Sequence, residues 1–192
     1  MTRPSRARGL LAVASVAFSL LALSACAPSG TGDAGDIPEL SLAQTKGPVQ
    51  LLRNEAANRI PKKFVQDVIL AKDTSKACQS TDSDPKGLIR SWRSSVRIAL
   101  KPDATADVAS LVDLLSATFI KQGWEEGSFG SATIVELKSA KSAVVIHVST
   151  KKADAESGKG GEIQIQTGGP CVTTAGEDSD EVKKLEAAEA GE

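Results

Sequence analysis

The clearest alternation in the chain runs through "SWRSSVRIAL". Trp92, Ser94, Val96, Ile98 and Leu100 take every second place, and Arg93, Ser95, Arg97 and Ala99 take the places between. A period of two puts the first set on one face of a half-buried strand. The period then changes. In "PDATADVASLVDLLSATFIKQGW", Val108, Leu111, Val112, Leu115 and Phe119 recur at helical spacing, with Asp103 placed to cap and Gly123 to close. That stripe predicts a helix with one face in the core and Trp124 folded back onto it. Upstream, "GPVQLLRNEAANRIP" predicts a shorter amphipathic helix, with Pro48 in its first turn, Val49, Leu52, Ala56 and Ile60 on one face, and Pro61 as the stop.

The remaining strands are read from β-branched content. Lys63 to Leu70 qualifies without a clear period, and Ala132 to Lys138, Ala143 to Thr150 and Glu162 to Thr167 follow the helix. Short links between consecutive strands favour an antiparallel meander. The expected fold is therefore α+β in two layers: an antiparallel sheet of four or five strands with two helices packed on one face. The other face would carry Ile134 and Val145 mixed with Glu136, His147, Gln164 and Gln166, although a one-residue register slip would exchange the sets. Such a mixed surface suits a protein partner better than a lipid tunnel, which would need continuous apolar residues.

The first residues carry an address. "MTRPSRARG" holds three arginines and no acid, and the apolar run from Leu10 is too short to span a bilayer, which is the layout of a secretory signal. The run closes on Leu23-Ser24-Ala25-Cys26, which resembles the lipobox of bacterial lipoproteins. The resemblance implies that the Cys26 thiol takes a diacylglycerol, that residues 1–25 are removed as the signal peptide, and that the new amino terminus is open to acylation. Two or more acyl chains would anchor stably, at about 0.8 kcal/mol per buried methylene.

The expected organisation is then the signal peptide at 1–25, the lipidated cysteine and a flexible tether at 26–47, one α+β domain at 48–173, and an acidic, disordered tail at 174–192. The tether is rich in Gly, Ser, Asp and Pro, and the tail, from Ala175, has seven acidic and two basic residues. A frayed helix with Asp178 and Glu181 as a capping box is the alternative for the tail. The domain also looks like the small cell-envelope lipoproteins of actinobacteria, through "ACQS", a strand-helix unit ending in "GW", and a closing "GGPCV".

Cysteine use follows from the address. In an exported chain the two cysteines outside the lipobox, Cys78 and Cys171, favour a disulfide over two free thiols, and neither stands in a Cys-x-x-Cys redox motif.

Charge and motif content narrow the function. Without the signal, 20 basic residues face 24 acidic ones, a formal charge of −4, and no basic patch points to nucleic acid. The single histidine, His147, has no accompanying nucleophile motif, "GSFGS" lacks the order of a hydrolase elbow, and "SGKGG" lacks the residues of a phosphate loop. "DSDPKG", Asp82 to Gly87, begins like a calcium loop but offers Lys86 and Arg93 where oxygen ligands are needed, so it reads as a turn. With no Tyr and few other aromatics, a stacking platform is not expected. The expectation is a membrane-anchored extracytoplasmic lipoprotein, without catalytic residues, metal or cofactor, that binds an envelope protein partner. The alternative is a carrier of a small or lipidic ligand.

Overall fold

The computed structural model describes residues 40–102, 108–127, 134–153 and 160–188. The lipobox, the cap expected at Asp103 and the strand start expected at Ala132 lie outside these residues.

Helix α1 (Leu42–Asn58) starts at a capping box in "SLAQ". The Gln44 amide N–H donates to Ser41 Oγ at 3.3 Å, and the Ser41 amide N–H donates to Gln44 Oε1 at 2.8 Å. This corrects the expected start at Pro48: residues 42–47 belong to the helix, not to a tether, and Pro48 lies inside it. The reciprocal cap satisfies donors that a first-turn proline would leave open, so it sets the boundary.

Strand β1 (Val65–Ala77) is longer than the segment predicted, and pairs with β2 (Ile89–Leu100) as an antiparallel hairpin. Helix α2 (Val108–Lys121) then leads into β3 (Trp124–Gly127), β4 (Ile134–Ser139), β5 (Val145–Lys151) and β6 (Glu162–Gly168), which form a meander. β6 returns to the free edge of β2, giving the order β1-β2-β6-β5-β4-β3. The short β7 (Val172–Thr173) continues along that edge beside Ile89 and Arg90.

The expected sheet of four or five strands with two helices is thus corrected. Among the described residues the sheet has seven strands, and there are three α-helices. The additional strands are β3 and β7, of four and two residues, too short to show a period. The third helix, α3 (Asp180–Ala187), lies where the disordered tail was expected. Its N-cap is Ser179 rather than Asp178, the Ser179 hydroxyl accepting from the Val182 amide at 3.4 Å.

All three helices pack on the face of β2 that carries Trp92 and Val96. The main core joins Ala56 and Ile60 of α1 with Leu111, Leu115 and Phe119 of α2 over strand residues such as Ile98, Leu137, Ile146 and Ile165. Trp124 packs edge-on to Phe119, with ring centroids 5.2 Å apart. A second cluster buries Val182 of α3 against Leu42, Val49, Trp92 and Val172. Buried charges interrupt this face, Arg90 and Asp73 among them. The Asp73 carboxylate accepts from Arg53 at 2.8 Å and also from the Ser94 hydroxyl and the Gln50 amide, so its oxygens are satisfied where water is excluded.

Candidate functional site

Among the described residues no helix lies on the opposite face of the sheet, and strand register orders its side chains into rows. One row runs Glu136, His147, Gln166 and Ser95 from β4 through β5 and β6 to β2. The next runs Lys138, Val145, Gly168 and Arg93, and the third Ile134, Ser149, Gln164 and Arg97. The face proposed from alternation, with Ile134, Val145, Glu136, His147, Gln164 and Gln166, is thus brought together by the pairing.

Two acids on this face are committed to neighbours. Glu136 meets Lys138 Nζ at 2.8 Å and His147 Nε2 at 2.7 Å. The Lys138 bond holds the Glu136 carboxyl below its usual range, with His147 assisting and burial opposing. Arg97 grips Glu162 with two bonds, of 2.9 and 3.1 Å. That pairing lowers the Glu162 carboxyl against a burial penalty and raises the Arg97 guanidinium.

Arg93 is different. Its Nε is buried and has no hydrogen-bond partner among the described residues. It borders a hollow of about 150 Å³ lined also by Ser91, His147, Gln166 and the Cys78 and Cys171 side of the molecule. The hollow has a simple origin: Gly168 stands in register between Val145 and Arg93, and the row lacks a side chain there. A Cβ on Gly168 would come within 3.3 Å of a Val145 methyl.

The disulfide expected between Cys78 and Cys171 is present, with an S–S distance of 2.04 Å and its ends 93 positions apart in the sequence. It ties the end of β1 to the segment between β6 and β7, at the wall of the hollow. Cys26 lies outside the described residues. "DSDPKG" forms a turn in which the Asp84 carboxylate accepts from the Leu88 and Ile89 amides at 2.9 and 2.8 Å, and these bonds, with Ile89 the largest influence, lower its pKa. Gly87, at φ 58, supplies the left-handed residue that the turn requires. Among the described residues no three His, Cys, Asp or Glu side chains are grouped to hold a metal.

Sequence reasoning missed Arg93 as a site residue. Its place in the alternation marked it as facing away from the helices, but only the pairing of β6 with β2 puts Gly168 beside it. A second concavity, about 350 Å³, opens between the end of α1 and the β1–β2 hairpin, lined by Ala57, Ile60, Val65, Val68 and Ile98, with Lys62 at its border.

No protein-family model matches the chain, and neither a curated protein nor a solved structure matches it.

Proposed function

We propose that this is a membrane-anchored, extracytoplasmic lipoprotein whose domain is a non-catalytic interaction module, docking an envelope protein on the helix-free face of its sheet. The observation that carries the reading is the division of the sheet. One face buries the apolar core under three helices, while the other presents polar and charged rows around Arg93, whose buried Nε has no partner among the described residues. Interfaces of this kind draw their specificity from polar complementarity around a desolvated centre. Attachment through Cys26 supplies the location.

A second reading, a carrier of a small or lipidic ligand, rests on the cleft beside Ile60 and Val68. Its volume of about 350 Å³ falls at the lower end of the roughly 300–1,000 Å³ found for ligand pockets.

One experiment separates the two. A photo-crosslinking residue is placed singly at Gln164 on the sheet face, at Leu51 on the outer side of α1, and at Val68 in the cleft, and cells are irradiated with the envelope intact. The docking reading expects one discrete protein adduct from Gln164 and none from Leu51. Equal adducts from both positions, or none from Gln164, would sink it. Lipid adducts confined to Val68 would establish the carrier instead.

A further inference from the structure

We propose that the hollow at Gly168 is a receptor for a single carboxylate side chain, an Asp or Glu of the protein that docks on this face, gripped by the Arg93 guanidinium. The inference rests on the docking reading above and names the chemistry of the contact at its centre.

Four observations converge on it. The first is an unmet donor. A guanidinium has five N–H groups in a planar fork and no acceptor, and buried donors in folded proteins are almost always satisfied. Arg93 Nε is buried with no partner among the described residues, whereas the neighbouring Arg97 already has both oxygens of Glu162. The second is charge matching. Glu136 is held by Lys138 and His147, and Glu162 by Arg97, so these two acids of the face are already committed. Among the described residues none of these ion pairs includes Arg93, so its charge is left for a docking partner to balance. One carboxylate balances it; a dianionic phosphate would leave excess negative charge, and phosphate sites in proteins gather several cations.

The third is size. At about 150 Å³ the hollow is below the roughly 300 Å³ where small-molecule pockets begin, which is room for the end of one side chain and not for a metabolite. The fourth is preorganisation. The walls are sheet backbone at Gly168 and the Cys78–Cys171 disulfide, so little is left to order on binding. The buried Ser91 and the Gln166 amide line the same hollow and offer donors for the lone pairs that a guanidinium leaves free.

The test uses the mature lipidated protein in detergent micelles, labelled with ¹⁵N at arginine Nε, with the Arg93 Nε–Hε resonance as the readout. Three probes are titrated at constant ionic strength: a capped hexapeptide with a central Glu, its Gln analogue, and inorganic phosphate; acetate is the fourth arm. The expected result is a saturable shift with the Glu peptide, no saturation with the Gln peptide, and weaker binding of phosphate and acetate.

Two variants attribute the effect. Arg93→Lys keeps the charge and removes the fork, and is expected to weaken the Glu peptide about tenfold. Gly168→Val fills the hollow at a position whose φ is not in the left-handed region, with a small shift of the Val145 methyl, and is expected to weaken it about as much while Arg93 stays in place. Near-ultraviolet circular dichroism like that of the parent confirms that both are folded. No saturable shift with the Glu peptide overturns the proposal, as does tighter binding of phosphate. Acetate binding as well as the peptide overturns the protein source. A Gln164 adduct that survives Arg93→Lys and Gly168→Val at full yield also overturns the carboxylate contact while leaving the docking face standing. Carboxylate binding without any Gln164 adduct overturns the docking face alone.

Discussion

Four described carboxylates titrate below their ordinary range, and the direction fixes how stability must depend on pH. Lys138 lowers Glu136, Arg97 lowers Glu162, and backbone amides, chiefly that of Ile89, lower Asp84. For Glu186 the largest single influence is burial, which raises it, but bonds from the Ser75 hydroxyl and amide and from Thr74 together prevail, so it too is lowered. Each group gives up its proton more readily in the folded chain, so the unfolded chain binds more protons in acid and folding weakens as pH falls. The stabilisation is complete above the unfolded values of about 3.9 for Asp and 4.3 for Glu, and is lost as pH drops through the lowered folded values. Urea midpoints should therefore be level from neutrality to about pH 5 and fall below about pH 4; a level curve down to about pH 3 would refute the assignment of these bonds. At this scale the sequence was legible where one strand sufficed. The turn at Asp84 and the outward direction of Arg93 could be read from local order. The Asp73 network and the gap at Gly168 could not, because each is assembled by residues that only the fold brings together.

Element boundaries depend on which local signal satisfies the most backbone groups, and α1 and α3 show the competition. Pro48 is a valid helix opener in isolation, but Ser41 and Gln44 cap each other seven residues earlier and the helix begins there. The acidic tail has too few apolar residues to fold alone, yet Val182 and Leu185 reach an apolar patch waiting on α1 and β2. Helical periodicity of only two apolar residues was too weak a signal for this, whereas the five-residue stripe of α2 was plain. Charge helps hold α3 in place, since Glu186 accepts from the Ser75 amide at 2.9 Å and the Ser75 hydroxyl at 2.7 Å on the exposed edge of β1. Terminating the chain after Asp178 removes all of this. Lost burial of Val182 alone is worth about 1.5 to 3 kcal/mol, which for a domain of this size lowers the melting temperature by about 5 to 10 °C. An unchanged melting curve for the truncated protein would show that α3 contributes nothing to the fold.

At the scale of the molecule, the sheet order depends on β6 crossing back to β2, a choice set by burying a shared core and by no local signal; alternation predicted faces but could not predict neighbours. The proposed membrane association, by contrast, is expected to rest on one residue, Cys26. Among the described residues no helix is long and apolar enough to cross a membrane. With residues 1–25 removed as proposed, a formal charge of −4 offers no net attraction to anionic lipid head groups. On the proposed reading, acyl chains on Cys26 would make the attachment, and two of them would suffice because each buried methylene contributes about 0.8 kcal/mol. Cys26→Ala is the test, made with residues 1–25 exchanged for an ordinary cleavable signal so that no uncut leader remains in the bilayer. The expected outcome is loss of radioactive palmitate labelling and transfer of the protein from the detergent-soluble membrane fraction to the soluble one. On this reading the domain is expected to keep its melting temperature. Persistent membrane association in that variant would show that the domain itself, or a tightly held partner, carries the attachment. Unaltered association with unaltered Gln164 cross-linking would assign it to the partner.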